Sequence, residues 1–165
     1  MTRSFIIDIL TTSERLLGRS ADDSELQSFL NTLNMWPLSP FGTDEFRIYA
    51  EDKDRGICLL FKDSATIEHQ VAANKIPGTP IFSSIFFYAD GVEGYHAYSG
   101  QLPLGINWID TVSRLVSRLG APQHEIRNNK TGQLRAQKWP LGHLSVTVVY
   151  VAGGSSIKRV NLGLY

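Results

Sequence analysis

Apolar residues change their spacing along this chain, and that change limits the folds open to it. Before residue 36 they recur at the three-to-four spacing of an amphipathic helix. After residue 41 they fall in short runs bounded by Gly, Pro and Asp, with one return to helical spacing between Thr111 and Leu119. Helices first and strands afterwards predict an α+β fold rather than the alternating units of a parallel sheet.

Residues 5–17 carry Phe5, Ile6, Ile9, Leu10, Leu16 and Leu17 on one stripe, and Gly18 reads as its C-terminal stop. A second helix is expected to begin near Ser20–Asp22. Asp22, Asp23 and Glu25 are placed to cap it and to complement the positive end of its dipole. Leu26, Phe29, Leu30 and Leu33 form its buried face, and Pro37 and Pro40 close the region. The first 36 residues therefore read as a helical hairpin.

Strands are expected at 45–49, 57–61, 81–88 and 95–98, then near 133–139, 144–151 and 156–162. Residues 51–56 read as a polar turn, 63–80 as the most loop-like stretch, and Gly153-Gly154 as the last hairpin turn. Asp110 reads as the N-cap of a helix from Thr111 to Leu119, with Gly120 and Pro122 as its stop. The expectation is a single α+β domain over residues 1–165. It has a helical hairpin in 1–36 and, in 41–165, an antiparallel sheet of about six to seven strands with helix 111–119 packed on one face.

Composition excludes several classes. With 42% hydrophobic and 10% aromatic residues the chain is not built like a disordered one. Cys58 is the one cysteine, so no internal disulfide can form, and its setting in Ile57–Phe61 reads as that of a small buried hydrophobe. The apolar patch Phe5–Leu10 is too short for a signal peptide and is broken by Asp8. No apolar run approaches the ~20 residues that cross a bilayer. A cytoplasmic protein with no membrane span is expected.

Sixteen basic and sixteen acidic residues give a formal net charge of zero, which argues against an obligate nucleic-acid binder. The zero is a sum of two unlike parts. Residues 1–100 hold 8 Lys/Arg against 14 Asp/Glu, or −6; residues 101–165 hold 8 against 2, or +6. The two parts either screen each other or present charged recognition faces.

Catalytic signatures are absent. His69, His96, His124 and His143 form no local zinc pair, and no phosphate-binding glycine loop or nucleophile elbow is present. Asp52-x-Asp54-x-Gly56 lacks the further ligands of a calcium loop and reads as a solvated turn. No catalytic residue, metal or cofactor is expected. The best acid–base candidate is Tyr95-His96-Ala97-Tyr98, which as a strand would put both tyrosines on one face and His96 on the other. The turns around Glu51–Asp54, Asp90 and Glu93 read instead as partner contacts.

Four pieces occur in order. Leu16-Leu17-Gly18-Arg19-Ser20 precedes a short acidic-capped helix. Gly56-Ile57-Cys58-Leu59-Leu60-Phe61 comes next. Phe87-Tyr88-Ala89-Asp90-Gly91-Val92-Glu93-Gly94-Tyr95 then runs to Tyr98-Ser99-Gly100-Gln101-Leu102-Pro103. Last, Leu119-Gly120-Ala121-Pro122 leads to Trp139 and a closing strand. Together they resemble a group of small, mostly uncharacterised bacterial cytoplasmic proteins, some of which look like immunity proteins of polymorphic or contact-delivered toxins. The late helix and meander are also similar to the arrangement in β-lactamase-inhibitor-like binding modules. The resemblance implies a non-enzymatic protein that binds a cognate protein toxin and neutralises it by occlusion. Glu51, Asp52, Asp54, Asp90 and Glu93, with Tyr95 and Tyr98 as aromatic anchors, are then the expected contacts. The alternatives are a small enzyme or ligand-binding domain centred on His96, and a structural adaptor that uses an exposed sheet edge.

Overall fold

The computed structural model describes residues 7–67 and 78–165. Phe5, Ile6, His69 and most of the loop expected at 63–80 lie outside the described residues. Helix α1 spans Ile9–Leu16, and the Asp8 carboxylate caps it by accepting from the Thr11 amide at 3.1 Å. Gly18, at φ 92°, then takes the left-handed turn that a side chain would resist. Helix α2 spans Ser24–Thr32, and Asp23 accepts from the amides of Glu25 and Leu26 at its start.

Seven antiparallel strands follow: β1 Arg47–Asp52, β2 Ile57–Asp63, β3 Pro80–Tyr88, β4 His124–Arg127, β5 Leu134–Leu141, β6 Leu144–Tyr150 and β7 Ile157–Leu164. They form one sheet in the order β1-β2-β3-β7-β6-β5-β4. Two meanders, β1–β3 and β4–β7, are thus joined where β3 pairs with β7. Helix α3, Val112–Leu119, lies between them in sequence.

Register separates the two faces. One cross-strand row reads Ala50, Leu59, Ile85, Leu162, Val146 and Trp139, apolar throughout. The next row, one residue along each strand, reads Glu51, Cys58, Phe86, Asn161, Thr147, Lys138 and His124. The apolar row joins Leu16, Leu26, Leu30 and Leu115 from the three helices in one core cluster. Among the described residues the helices therefore cover one face, as in a two-layer α+β fold. Backbone bonds pin the helical pair: Gly18 N–H donates to Phe82 O at 2.8 Å, and Phe82 N–H donates to Arg19 O at 2.9 Å. Trp139 packs inward, and its Nε1–H donates to Gly120 O at 3.1 Å, tying the end of α3 to β5.

Three expectations need correction. Residues 95–98 are not a strand. Their amides instead bond across the end of the sheet, His96 N–H to Lys53 O at 2.9 Å and Tyr98 N–H to Tyr88 O at 3.0 Å. Tyr95 thereby joins an aromatic cluster with Cys58 and Tyr88, while Tyr98 joins the main core, so the two tyrosines do not share a face. The strand count still reaches seven because of β4, whose four residues are all exposed and give no alternating signal. Thr111, not Asp110, caps α3: its hydroxyl accepts from Arg114 N–H at 3.2 Å. Asp110 is buried and accepts from Asn107 N–H and Arg118 Nη2, each at 2.9 Å.

The crossing of 95–98 depends on Gly56. Its φ is +73°, and a Cβ there would run into His96 O and Tyr98 N. Gly132 has a similar φ of +70° but open space around it. Gly132→Ala should therefore cost about 1 kcal/mol, the left-handed penalty alone. Gly56→Ala should cost roughly 3 kcal/mol or more, because the crossing segment must also shift. Urea unfolding of the two variants checks the difference; equal losses would sever the crossing from the turn.

Candidate functional site

The uncovered face of the sheet is not uniformly polar. Tyr49, Leu60, Phe86, Tyr88 and Cys58 give it an apolar floor over β1–β3, and Arg47, Lys62 and Arg159 stand among them. These residues, with Glu51 and Glu93, line an open hollow of about 500 Å³. A second hollow of about 590 Å³ shares Arg47, Tyr49 and Lys62 and continues to Phe46 at the β1 edge. Phe46 and Tyr49 are 55% and 52% exposed, which is unusual for rings of that size.

Arg159 is the centre of this surface. Its guanidinium lies 4.8 Å from the Phe86 ring centroid and 5.8 Å from that of Tyr88. Tyr88 in turn stacks on Tyr95, with centroids 3.7 Å apart and planes at 4°. The aromatic shelf holds the cation by its π-faces. Among the described residues no carboxylate lies within 4.0 Å of Arg159, Arg47 or Lys62. The Nε of Arg159 and the Oδ1 of Asn161, its outward neighbour on β7, are buried without hydrogen-bond partners. Native proteins leave few such groups, because each costs the desolvation it is not repaid for.

The acidic residues expected to make contacts gather at one end of the sheet. Glu51 accepts from the Tyr95 hydroxyl at 2.6 Å, and Glu93 lies 3.8 Å from Lys158 Nζ. Asp52 accepts from Arg55 Nη1 at 2.8 Å, Asp54 is exposed in the β1–β2 turn, and Asp90 accepts from Ala97 N–H at 3.3 Å. Glu51 and Glu93 therefore border the hollow, whereas Asp52, Asp54 and Asp90 sit beyond its rim. Tyr95 and Tyr98 are 2% and 7% exposed, and both serve as packing groups. Burial, and then the bond to Glu51, push the Tyr95 hydroxyl well above the usual phenol range. Burial raises Tyr98 to about 12.

His96 stands outside any enclosure. Its side chain is 71% exposed, and its Nδ1 lies 3.8 Å from an Asp90 carboxylate that is itself 77% exposed. That separation is beyond a hydrogen bond. Among the described residues no group of three His, Cys, Asp or Glu could hold a metal ion, and no helix is long and apolar enough to cross a membrane. The charge segregation survives folding. Of the ion pairs among the described residues, Lys158 to Glu93 joins the acidic part to the basic one, and the rest stay within one part.

Sequence reasoning missed Arg159, Lys62, Arg47 and Phe86 as a group. They come from four strands, and only the β1–β2–β3–β7 register sets them side by side. The signal available was Arg159 itself, a cation inside an apolar strand pattern.

No family model matches the chain, and no curated protein matches it. Among solved structures it is similar to a DUF4309 family protein, YjgB, from Bacillus subtilis subsp. subtilis str. 168. The identity is 19% and the TM-score 0.41, with 77% of this chain and 70% of that one covered. A likeness this distant carries no argument.

Cys58 lies on the floor beneath Tyr88 and Tyr95. Burial, and then the charge of Glu51, raise its thiol from 9.0 to about 12. The folded chain keeps a proton that the unfolded chain releases above pH 9, so stability falls as pH rises from 9 toward 12. Denaturant midpoints measured from pH 8 to 10.5 should fall less steeply in Cys58→Ala than in the wild type. Parallel curves would show that Cys58 ionises as freely in the fold as outside it.

Proposed function

We propose that this chain is a non-enzymatic binding protein that engages another protein through the uncovered face of its sheet. The observation that supports this reading is the pairing of exposed aromatics with three cations that have no carboxylate partner. Phe46 and Tyr49 offer apolar area at the β1 edge, and Arg47, Lys62 and Arg159 offer charge beside it. Aromatic and arginine anchors inside a polar rim are the composition of a protein interface. Charge complementarity makes the docking surface of the partner acidic. Exposure of His96, and its distance from Asp90, favour this reading over an enzyme centred on that residue.

Within this reading the resemblance to immunity proteins makes a cytoplasmic protein toxin the partner class. The chain would neutralise it by covering its active site or substrate groove, with no reaction of its own.

The test is a native pull-down with the full chain, followed by assay of the captured protein. The expected result is one partner at equal stoichiometry whose own activity is lost when the chain is added. Arg47→Glu with Lys62→Glu should weaken capture by about tenfold or more, because rim charges govern encounter and salt dependence. Capture unchanged by the double reversal would move the interface off this face. A partner whose activity survives saturation by the chain would remove neutralisation.

A further inference from the structure

We infer that the hollow around Arg159 is a seat for a single carboxylate, supplied by an acidic side chain of the partner protein. The inference rests on the proposed docking through this face for the source of the carboxylate, and on the hollow itself for the chemistry.

Charge fixes the sign. The lining holds Arg47, Lys62 and Arg159 against Glu51 and Glu93. Both acids are already engaged, Glu51 by the Tyr95 hydroxyl and Glu93 by Lys158, so they are held at the border of the hollow. The hollow keeps an excess of positive charge, which an anionic group completes.

Shape fixes the rest. The guanidinium lies over the Phe86 and Tyr88 rings with no carboxylate partner among the described residues, and a guanidinium is the side chain best suited to pair with a carboxylate. Phe86 and Tyr49 provide apolar area on which the stem of the ligand can lie. A volume of about 500 Å³ is within the ordinary range for one small ligand or one anchoring side chain. The unbonded Nε–H of Arg159 shows that the folded chain leaves donor capacity unused at this point.

The probe is benzoate, titrated into the full chain and followed by amide shifts in NMR. Saturable shifts are expected at the outward residues of β2, β3 and β7. Benzamide, which has the same shape and no charge, should bind about tenfold more weakly, the value of a charge-assisted pair. Acetate, the carboxylate of an acidic side chain without its stem, should shift the same residues at higher concentration. Arg159→Gln should abolish the shifts. Should that variant not fold, Asn161→Asp, which sets a carboxylate beside Arg159, should abolish them in a folded chain. Benzoate should then release the partner captured in the pull-down. Equal binding of benzoate and benzamide, or shifts elsewhere on the sheet, overturns the inference while leaving the docking reading intact. Benzoate bound at Arg159 with the partner still in place overturns the partner as the source of the carboxylate. Failure to capture any partner falsifies the docking reading, whereas the benzoate titration stands apart from it.

Discussion

The pairing of β3 with β7 is the constraint on which the rest of the structure depends. Five residue pairs, from Ser84–Gly163 to Tyr88–Arg159, tie strands about 75 residues apart in sequence. Without that ladder the chain holds two separate meanders, each with an apolar face too small to close a core. With it, Ile85 lies beside Leu162 and Phe87 beside Val160, and one apolar surface runs under all three helices. The same ladder sets Tyr88 beside Arg159 and Phe86 beside Asn161 on the other face. Core and candidate site are thus alternate residues of one pair of strands.

Period-two alternation explains why the two halves keep their charge. Carboxylates gather where β1, its turn and the segment after β3 end, and Arg159 enters the sheet from the basic part through β7. Meeting at the sheet centre brings the parts into contact without bringing most of their charges together. Lys158, at the end of β7, does reach Glu93, and Arg159, one residue on, faces rings instead. A one-residue slip of β7 would exchange inward and outward sets along the whole strand. The burial of Val160 and Leu162, both fully enclosed, prevents it.

Much of this was legible beforehand, for physical reasons that differ by element. Asp23 and Gly18 announce the helical pair because capping and left-handed turns are local chemistry. Strands β2 and β3 announce themselves through dense apolar runs that burial on both sides explains. By contrast β4 has one apolar residue in four, and it is held by pairing with β5 rather than by a core. Its sign was the turn that follows, where the Asn128 side chain accepts from Lys130 and Thr131 amides and Gly132 takes a positive φ. Asp110 misled because a carboxylate next to a helix start usually caps it, whereas here Arg118, in the last turn of the helix, reaches back for it. At the site, the acidic border was visible as turn residues, but the cations were not. A turn can be read from neighbours in sequence; a cross-strand row needs a register.

The two sheet edges bear on how such a protein meets a partner. An adaptor that adds a strand needs a long, flat, unguarded edge. The β4 edge offers four residues, three of them His124, Glu125 and Arg127, and Glu125 and Arg127 pair with each other at 3.0 Å. The β1 edge is six residues long and carries Arg47, Glu51 and Asp52. Short, charged edges are the usual means of blocking strand addition. With both edges guarded and the inward face under helices, the outward face offers apolar area, and its aromatics lie where the cations do. On the proposed docking, recognition would be a matter of side chains standing on a finished sheet, and not of backbone left unpaired at its margin.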